Sequence, residues 1–262
     1  MPGTDSSSHP LLQVGSKGAG VQRWQRFLAQ QKLLSASDVD GDFGQRTRQA
    51  TEKFQSAQGL AADGVVGPNT WRAAEAVMAA SGEPPWPPFE ALTDELRAQL
   101  FGKFDFRRVP TANDPEAIEI LGTWQKDNVA IFTVPQVVGI PFSWSTERNS
   151  GRVQFHRKAM AQLLSLFAAW QGAGLMDRVV SWGGAYNARL QRGSTTLLSN
   201  HSFGTAFDIN VKENPLGKPG AAKGTRGSVV ELVALANEHG FYWGGHFHSR
   251  LDAQHFEIAV LK

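Results

Sequence analysis

The chain has 262 residues, of which 41% are apolar and 19% charged, with a formal net charge of +2 and no cysteine. Such a length and balance fit one or two folded domains. They exclude a disordered chain, a membrane span of ~18 to 20 apolar residues, and all disulfide or thiolate chemistry. Any metal site must therefore be built from the seven histidines and the carboxylates, and with no basic run nucleic acid is not an expected partner.

The N-terminus from Met1 to Pro10 has neither a basic start nor an apolar run, so no Sec-type signal peptide is expected. Apolar spacing then predicts three short helices, marked by Val21, Trp24 and Leu28, by Ala50, Phe54 and Ala57, and by Trp71, Ala74 and Met78. An internal repeat accompanies them: Asp40-Gly41-Asp42-Phe43-Gly44 returns as Asp63-Gly64-Val65-Val66-Gly67. Each copy reads as an Asp-Gly turn, a buried apolar residue, a glycine and a helix start, with Pro68 suited to the first helical position. Residues 1–80 are expected to form a small three-helix domain. The Pro-rich stretch within residues 81–90, Ser81-Gly82-Glu83-Pro84-Pro85-Trp86-Pro87-Pro88, is expected to act as a semi-rigid spacer before a second domain at residues 91–262.

The pattern after the linker is mixed. Ile118 to Ile120, Val129 to Phe132 and Arg178 to Trp182 read as strands, the last running into a Gly183-Gly184 turn. Met160, Leu163, Leu164, Phe167 and Trp170 fall at helical spacing, and a second helix is delimited by a Ser228/Glu231 capping box, a Leu232, Leu235 and Ala236 stripe, and Gly240. The fold class is thus α+β, with a small antiparallel sheet flanked by helices in the second domain.

Two late segments alternate with period two. In Ala206 to Val211 the residues Phe207, Ile209 and Val211 face one way and Ala206, Asp208 and Asn210 the other. In His255 to Val260 the residues Phe256, Ile258 and Val260 point inward, leaving His255 and Glu257 on the polar face. Set side by side, these strands bring Asp208 and His255 together, with His201 supplied by the preceding loop. Two imidazoles and one carboxylate, with a fourth position open, form a recurring catalytic zinc environment. Asp252, three residues before His255, is placed to take a proton there as general base.

Two resemblances follow from these residues. Leu11 to Trp71, with its two Asp-Gly-x-x-Gly copies, resembles the peptidoglycan-binding type 1 domain. Ser199, His201, Gly204, Ala206 and Asp208, followed by Trp243-Gly244-Gly245, Asp252, His255, Phe256 and Glu257, resemble the signature of VanY-like zinc peptidases, the D-alanyl-D-alanine carboxypeptidases and L-alanyl-D-glutamate endopeptidases of bacteria and phage endolysins. The second resemblance implies zinc held by His201, Asp208 and His255, catalysis by Asp252, and an upstream arginine that steadies the scissile carbonyl. Arg189 and Arg192 are both candidates, with Arg189 favoured, and Ser199 is a candidate hydrogen-bond partner for substrate. His246-Phe247 departs from the family's Asp-Trp, which bears on substrate contacts more than on metal binding; His246 and His248 form a further His-x-His pair. His239 is expected to complement a helix C-terminus, and His156 and His9 to be solvated.

The implied protein is a zinc peptidoglycan hydrolase, an endolysin-like L-alanyl-D-glutamate endopeptidase. D-alanyl-D-alanine carboxypeptidase is the alternative and a non-catalytic wall-binding protein the second one. The expected partner is peptidoglycan, with no nucleic acid and no membrane, and the chain is expected to be a monomer. It is expected to be made in the cytoplasm and to reach the wall after lysis or specialised export.

Overall fold

The structure, a computed structural model, describes residues 9–247 and 250–262. The leader reading falls in part on residues 1–8, and one half of the His246/His248 pair on residue 248, both outside the described residues. The chain divides into two compact units, Met1–Glu90 and Ala91–Lys262.

In the first unit α1 (Ala19–Gln30), α2 (Gln45–Ala57) and α3 (Pro68–Ser81) follow the predicted spacing. The sequence repeat becomes a repeated polar lock. Gln25 on α1 donates to Asp40 Oδ1 (2.8 Å) and Thr47 Oγ1 (3.1 Å) while its Oε1 accepts from Gly41 N. Gln55 on α2 does the same with Asp63 (2.8 Å), Thr70 (3.2 Å) and Gly64 N. Both glycines need positive φ, +82° and +73°, so the Asp-Gly turn is fixed by backbone freedom as well as by the buried amide that satisfies it. This lock occupies the inner face of α2. Thr47, Thr51 and Gln55 are buried beside Ala50 and Phe54, and Ala57, expected in the apolar stripe, is exposed.

Trp24, Phe27, Phe54 and Trp71 pack mostly edge to face, with centroids 5.0 to 5.5 Å apart, and truncating any of them to Ala is expected to cost about 3–5 kcal/mol. The Pro-rich segment lies on this unit: Trp86 meets Phe27 and Trp71 at 5.9 and 6.1 Å. Buried Arg23 donates to the carbonyls of Pro87 (2.9 Å) and Phe89 (3.3 Å) and pairs with Glu90. An arginine with five N–H groups suits a segment whose prolines leave carbonyls without amide partners. His9 is not solvated as expected; it stacks on Trp71 at 4.6 Å and pairs with Glu75 at 2.8 Å.

The second unit is α+β. It opens with α4 (Asp94–Phe101), capped by Thr93, then pairs β1 (Phe106–Arg108) with β2 (Ile118–Ile120). After α5 (Trp124–Asn128), β3 (Val129–Thr133) pairs with β4 (Arg152–His156), which leads to α6 (Met160–Gly172). The central antiparallel sheet has the order β5-β6-β8-β7, from β5 (Trp182–Gly184), β6 (Ala206–Ile209), β7 (Phe241–Trp243) and β8 (His255–Ile258). The last helix, α7 (Val233–Glu238), precedes β7 and is entered through a 3-10 turn at Val230–Leu232, with Ser228 Oγ bonded to the Glu231 carboxylate at 2.8 Å.

The apolar faces meet as the alternation requires. Phe207 stacks on its cross-strand partner Phe256 (5.4 Å, 10°), and Phe167 and Trp170 of α6 close over them at 5.5 and 5.7 Å. Val211 and Val260 lie beyond the strand ends and are only half-buried. Asn210 leaves the cleft face altogether: at φ +55° its side chain turns inward to serve Val180 N, Ser181 N and Gly227 O.

Two readings are corrected here. The residues from Arg178 are not a strand; Arg178 ends a 3-10 turn, Asn210 Oδ1 accepts from Val180 N and Ser181 N, and the strand runs only over Trp182–Gly184, with a bulge at Gly183 between the paired Trp182 and Gly184. His156 does not open a solvated helix. It ends β4, fully buried, with its N–H donated to Gly204 O (2.7 Å) and its ring against Phe101.

Candidate metal centre

His201 sits in the 3-10 turn Asn200–Phe203, which Ser199 caps by accepting from His201 N (3.4 Å) and which Gly204 ends in the left-handed region. Asp208 and His255 are direct register partners on β6 and β8. Sheet pairing and one capped turn thus bring the three predicted ligands together. Asp208 Oδ1 lies 2.9 Å from His255 Nδ1 and 3.3 Å from His201 Nε2, and the two imidazole nitrogens are 3.2 Å apart.

The opposite ring nitrogens are already committed. His201 Nδ1 donates to Ala185 O, and His255 Nε2 donates to Glu257 Oε2 at 3.0 Å. The inner nitrogens His201 Nε2 and His255 Nδ1 therefore meet Asp208 Oδ1 at one spot, an arrangement that calls for positive charge there, supplied by a proton or by a bound cation. The spacing fits one: a tetrahedral ion with bonds of ~2.0–2.1 Å sets its ligands roughly 3.3 Å apart. Holding the far nitrogen of each histidine by a carbonyl or carboxylate is also how metal-binding imidazoles are oriented. Among the described residues this trio is the group of His, Asp and Glu side chains suited to hold a metal.

The charges agree with this demand. Burial opposes ionisation of Asp208, yet His201 and His255 hold its carboxyl well below the usual range. Burial likewise opposes charge on His255, but its bonds to Asp208 and Glu257 push it up to about 10. The site is built to contain positive charge.

The trio opens into a cavity of about 940 Å³ that Asp252, Arg189, Arg192 and Ser199 also line. Asp252 Oδ1 is buried and finds no hydrogen-bond partner among the described residues. Burial lifts its carboxyl above the ordinary value against the pull of His255, and the nearby Asp208 charge adds to the lift. Arg189 is tied by its backbone to the His201 turn, its N–H to Ser202 Oγ (3.0 Å) and its carbonyl to Ser199 N (3.1 Å). Its guanidinium lies within the fields of Asp208 and Asp252, and burial depresses its pKa. Arg192 is instead engaged by Asp114 (3.1 Å) and Glu116 (2.6 Å) at the rim. The Ser199 hydroxyl, read as a substrate contact, serves as the cap of the His201 turn.

Two residues stand behind the site: Glu257, which the sequence places but assigns no role, and Arg97, which it does not mark. Glu257, 1% exposed, orients His255, and Arg97 from α4 reaches its other oxygen at 3.6 Å. Glu257 carries a signal, since it follows His255 by two on the same strand face. Arg97 carries none, because only folding brings α4 beside β8.

Residues 192–258 match the family model described as D-alanyl-D-alanine carboxypeptidase, and residues 17–74 match that of a peptidoglycan binding domain. A protein of Kitasatospora aureofaciens, described only as an uncharacterized protein in the bpoA1 3'region, is 37% identical over 81 residues, covering 31% of this chain and 69% of that protein. The zinc D-Ala-D-Ala carboxypeptidase of Streptomyces albus G is 44% identical over 61 residues, 23% of this chain and 24% of its own length. The solved Burkholderia AP3 phage endolysin aligns over 69% of each chain at 20% identity, with a TM-score of 0.24. The chain belongs to the family of the Kitasatospora protein and joins a peptidoglycan-binding domain to a VanY-like D-alanyl-D-alanine carboxypeptidase domain.

Proposed function

We propose that this protein is a zinc-dependent peptidoglycan hydrolase that cuts the stem peptide at the L-alanyl-D-glutamate bond. The observation that carries it is the convergence of His201, Asp208 and His255 in one cavity with Asp252, whose Oδ1 has no hydrogen-bond partner among the described residues. His201 Nε2, His255 Nδ1 and Asp208 Oδ1 would hold the zinc, which when bound acts as a Lewis acid on the scissile carbonyl and acidifies water. Asp252 takes the proton of the attacking water at Oδ1 and returns it to the leaving amine, a role suited to a carboxyl raised by burial. Arg189, free of the carboxylate clamp that engages Arg192, donates to the carbonyl oxygen as negative charge develops on it. Glu257 and Ala185 O keep both imidazoles in the tautomers that leave the inner nitrogens available.

The N-terminal domain holds the enzyme on its polymer, which raises the local concentration of stems without new catalytic contacts. A cavity of about 940 Å³ supports internal cleavage, since an endopeptidase must accept chain on both sides of the bond. Carboxypeptidase action is the second reading, favoured by the similarity to the Streptomyces enzyme. Mass spectrometry of purified sacculi after digestion separates them. Soluble stems beginning with D-glutamate are expected; release of D-alanine alone, with turbidity unchanged, overturns the endopeptidase assignment.

A further inference from the structure

Trp144 stands out among the residues lining the cavity, because 66% of it is exposed although it is a large apolar side chain. A single exposed aromatic is ordinary; its setting here is not. One face of the indole is stacked on Phe142 (4.9 Å, 26°), so the other face is open. The loop that carries it is tied to β5: Ser143 N donates to Trp182 O (2.9 Å) and Ser143 Oγ bonds Ser181 Oγ at 2.8 Å in a buried contact. The ring is thus a held platform on the strand next to β6.

The floor beside it is made of glycine. A Cβ added at Gly184 would lie 3.8 Å from the Trp144 ring, and Gly184 is the register partner of Asp208. A Cβ at Gly183 would meet Asp208 Cβ at 2.8 Å. A Cβ at Gly183 would also meet Val211 Cγ2 at 2.6 Å, so glycine there lets β5 pack closely on β6, and Trp144, Gly183 and Asp208 line one cavity.

We infer that Trp144 is a saccharide subsite, on which the pyranose ring bearing the stem peptide stacks while the adjacent peptide bond lies at the metal centre. A pyranose presents an apolar face of C–H groups that suits the negative face of an aromatic ring, and keeps its hydroxyls at the wet rim. Chain length selects the bond. In peptidoglycan the L-alanyl carbonyl is one residue from the lactyl sugar, ~3.5 Å of extended chain, whereas the D-alanyl-D-alanine bond is four residues away, ~14 Å. A sugar stacked on Trp144, in the cavity that also holds Asp208, therefore suits the nearer L-alanyl-D-glutamate bond rather than the terminal one. This inference rests on the function proposed above and names the part of the substrate that its site reads.

The test uses the full chain loaded with zinc and two soluble substrates of the same stem sequence, one carrying the N-acetylglucosaminyl-N-acetylmuramyl disaccharide and one acetylated without sugar. Trp144→Ala is expected to lower kcat/KM by about tenfold on the disaccharide substrate and by less than twofold on the bare peptide, with Trp144→Phe in between. Equal losses on both substrates overturn the subsite. A second readout is independent of turnover: the Trp144 indole N–H resonance, assigned by its loss in Trp144→Phe, should shift and saturate on titration with the stem-free disaccharide. An unmoved resonance also overturns it. A shifted resonance in a protein that leaves the L-alanyl-D-glutamate bond intact upholds the subsite and rejects the proposed bond instead.

Discussion

At the level of single residues, the proposed function assigns holding a metal and moving a proton to different side chains. If the trio holds zinc as proposed, His201→Ala or His255→Ala takes away one of its three donors, and metal analysis of purified protein should show loss of stoichiometric zinc. Asp252→Ala should retain the zinc while turnover falls by about 10²-fold or more; near-normal turnover would remove Asp252 from the mechanism. Glu257 acts one step back. Because it accepts from His255 Nε2 at 3.0 Å and is 1% exposed, Glu257→Gln should weaken zinc binding by about 10- to 100-fold in a competition titration with a chelator, with the fold intact by circular dichroism. Unchanged affinity would reduce it to a packing role. That Asp208 and His255 share one face was legible in the sequence because strand alternation has a period of two. Arg97 was not, since its pairing with Glu257 joins segments that share no local pattern.

At the scale of elements, the His201 turn depends on what supports it from behind. His156 at the end of β4 donates its N–H to Gly204, the residue closing that turn, and is fully buried against Phe101. Burial lowers its pKa to about 4, against the help of the Phe101 carbonyl, and Lys158 lowers it further. The unfolded chain, titrating near 6.5, binds more protons between these values. Stability therefore rises with pH from about 4 to 6.5, is fully present above that window, and is lost as pH falls through it, by up to about 3 kcal/mol. Urea unfolding of wild type and His156→Gln across this range should show the slope in the first and a flatter one in the second. The sequence placed His156 at a helix start because the apolar spacing of α6 begins just beyond it. Strand β4 does alternate, with Val153 and Phe155 buried between exposed Arg152 and Gln154, but so short a run beside the stronger spacing of α6 does not mark a strand.

At the scale of the whole molecule, the two units have separate cores, one around Trp24, Phe54 and Trp71, the other around Phe167, Phe207 and Phe256. Removing residues through Glu90 is expected to leave cleavage of small soluble muropeptides within about twofold while weakening action on intact sacculi by tenfold or more, the loss that tethering predicts. Turbidity clearance beside a peptide assay on the same preparation checks this; equal loss on both substrates would make the first unit a support for the second. The sequence by itself determined the three helices, the repeated Asp-Gly turns and the two strands that bear Asp208 and His255, because helix periodicity, turn chemistry and strand alternation are local and each leaves a pattern in a short window. The fold alone revealed the engagement of Arg192 by Asp114 and Glu116, the burial of His156, the reach of Arg97 to Glu257 and the place of Trp144 beside Gly184. Each depends on which distant segment arrives to desolvate or pair a side chain, because burial and Coulomb interaction act through space rather than along the chain.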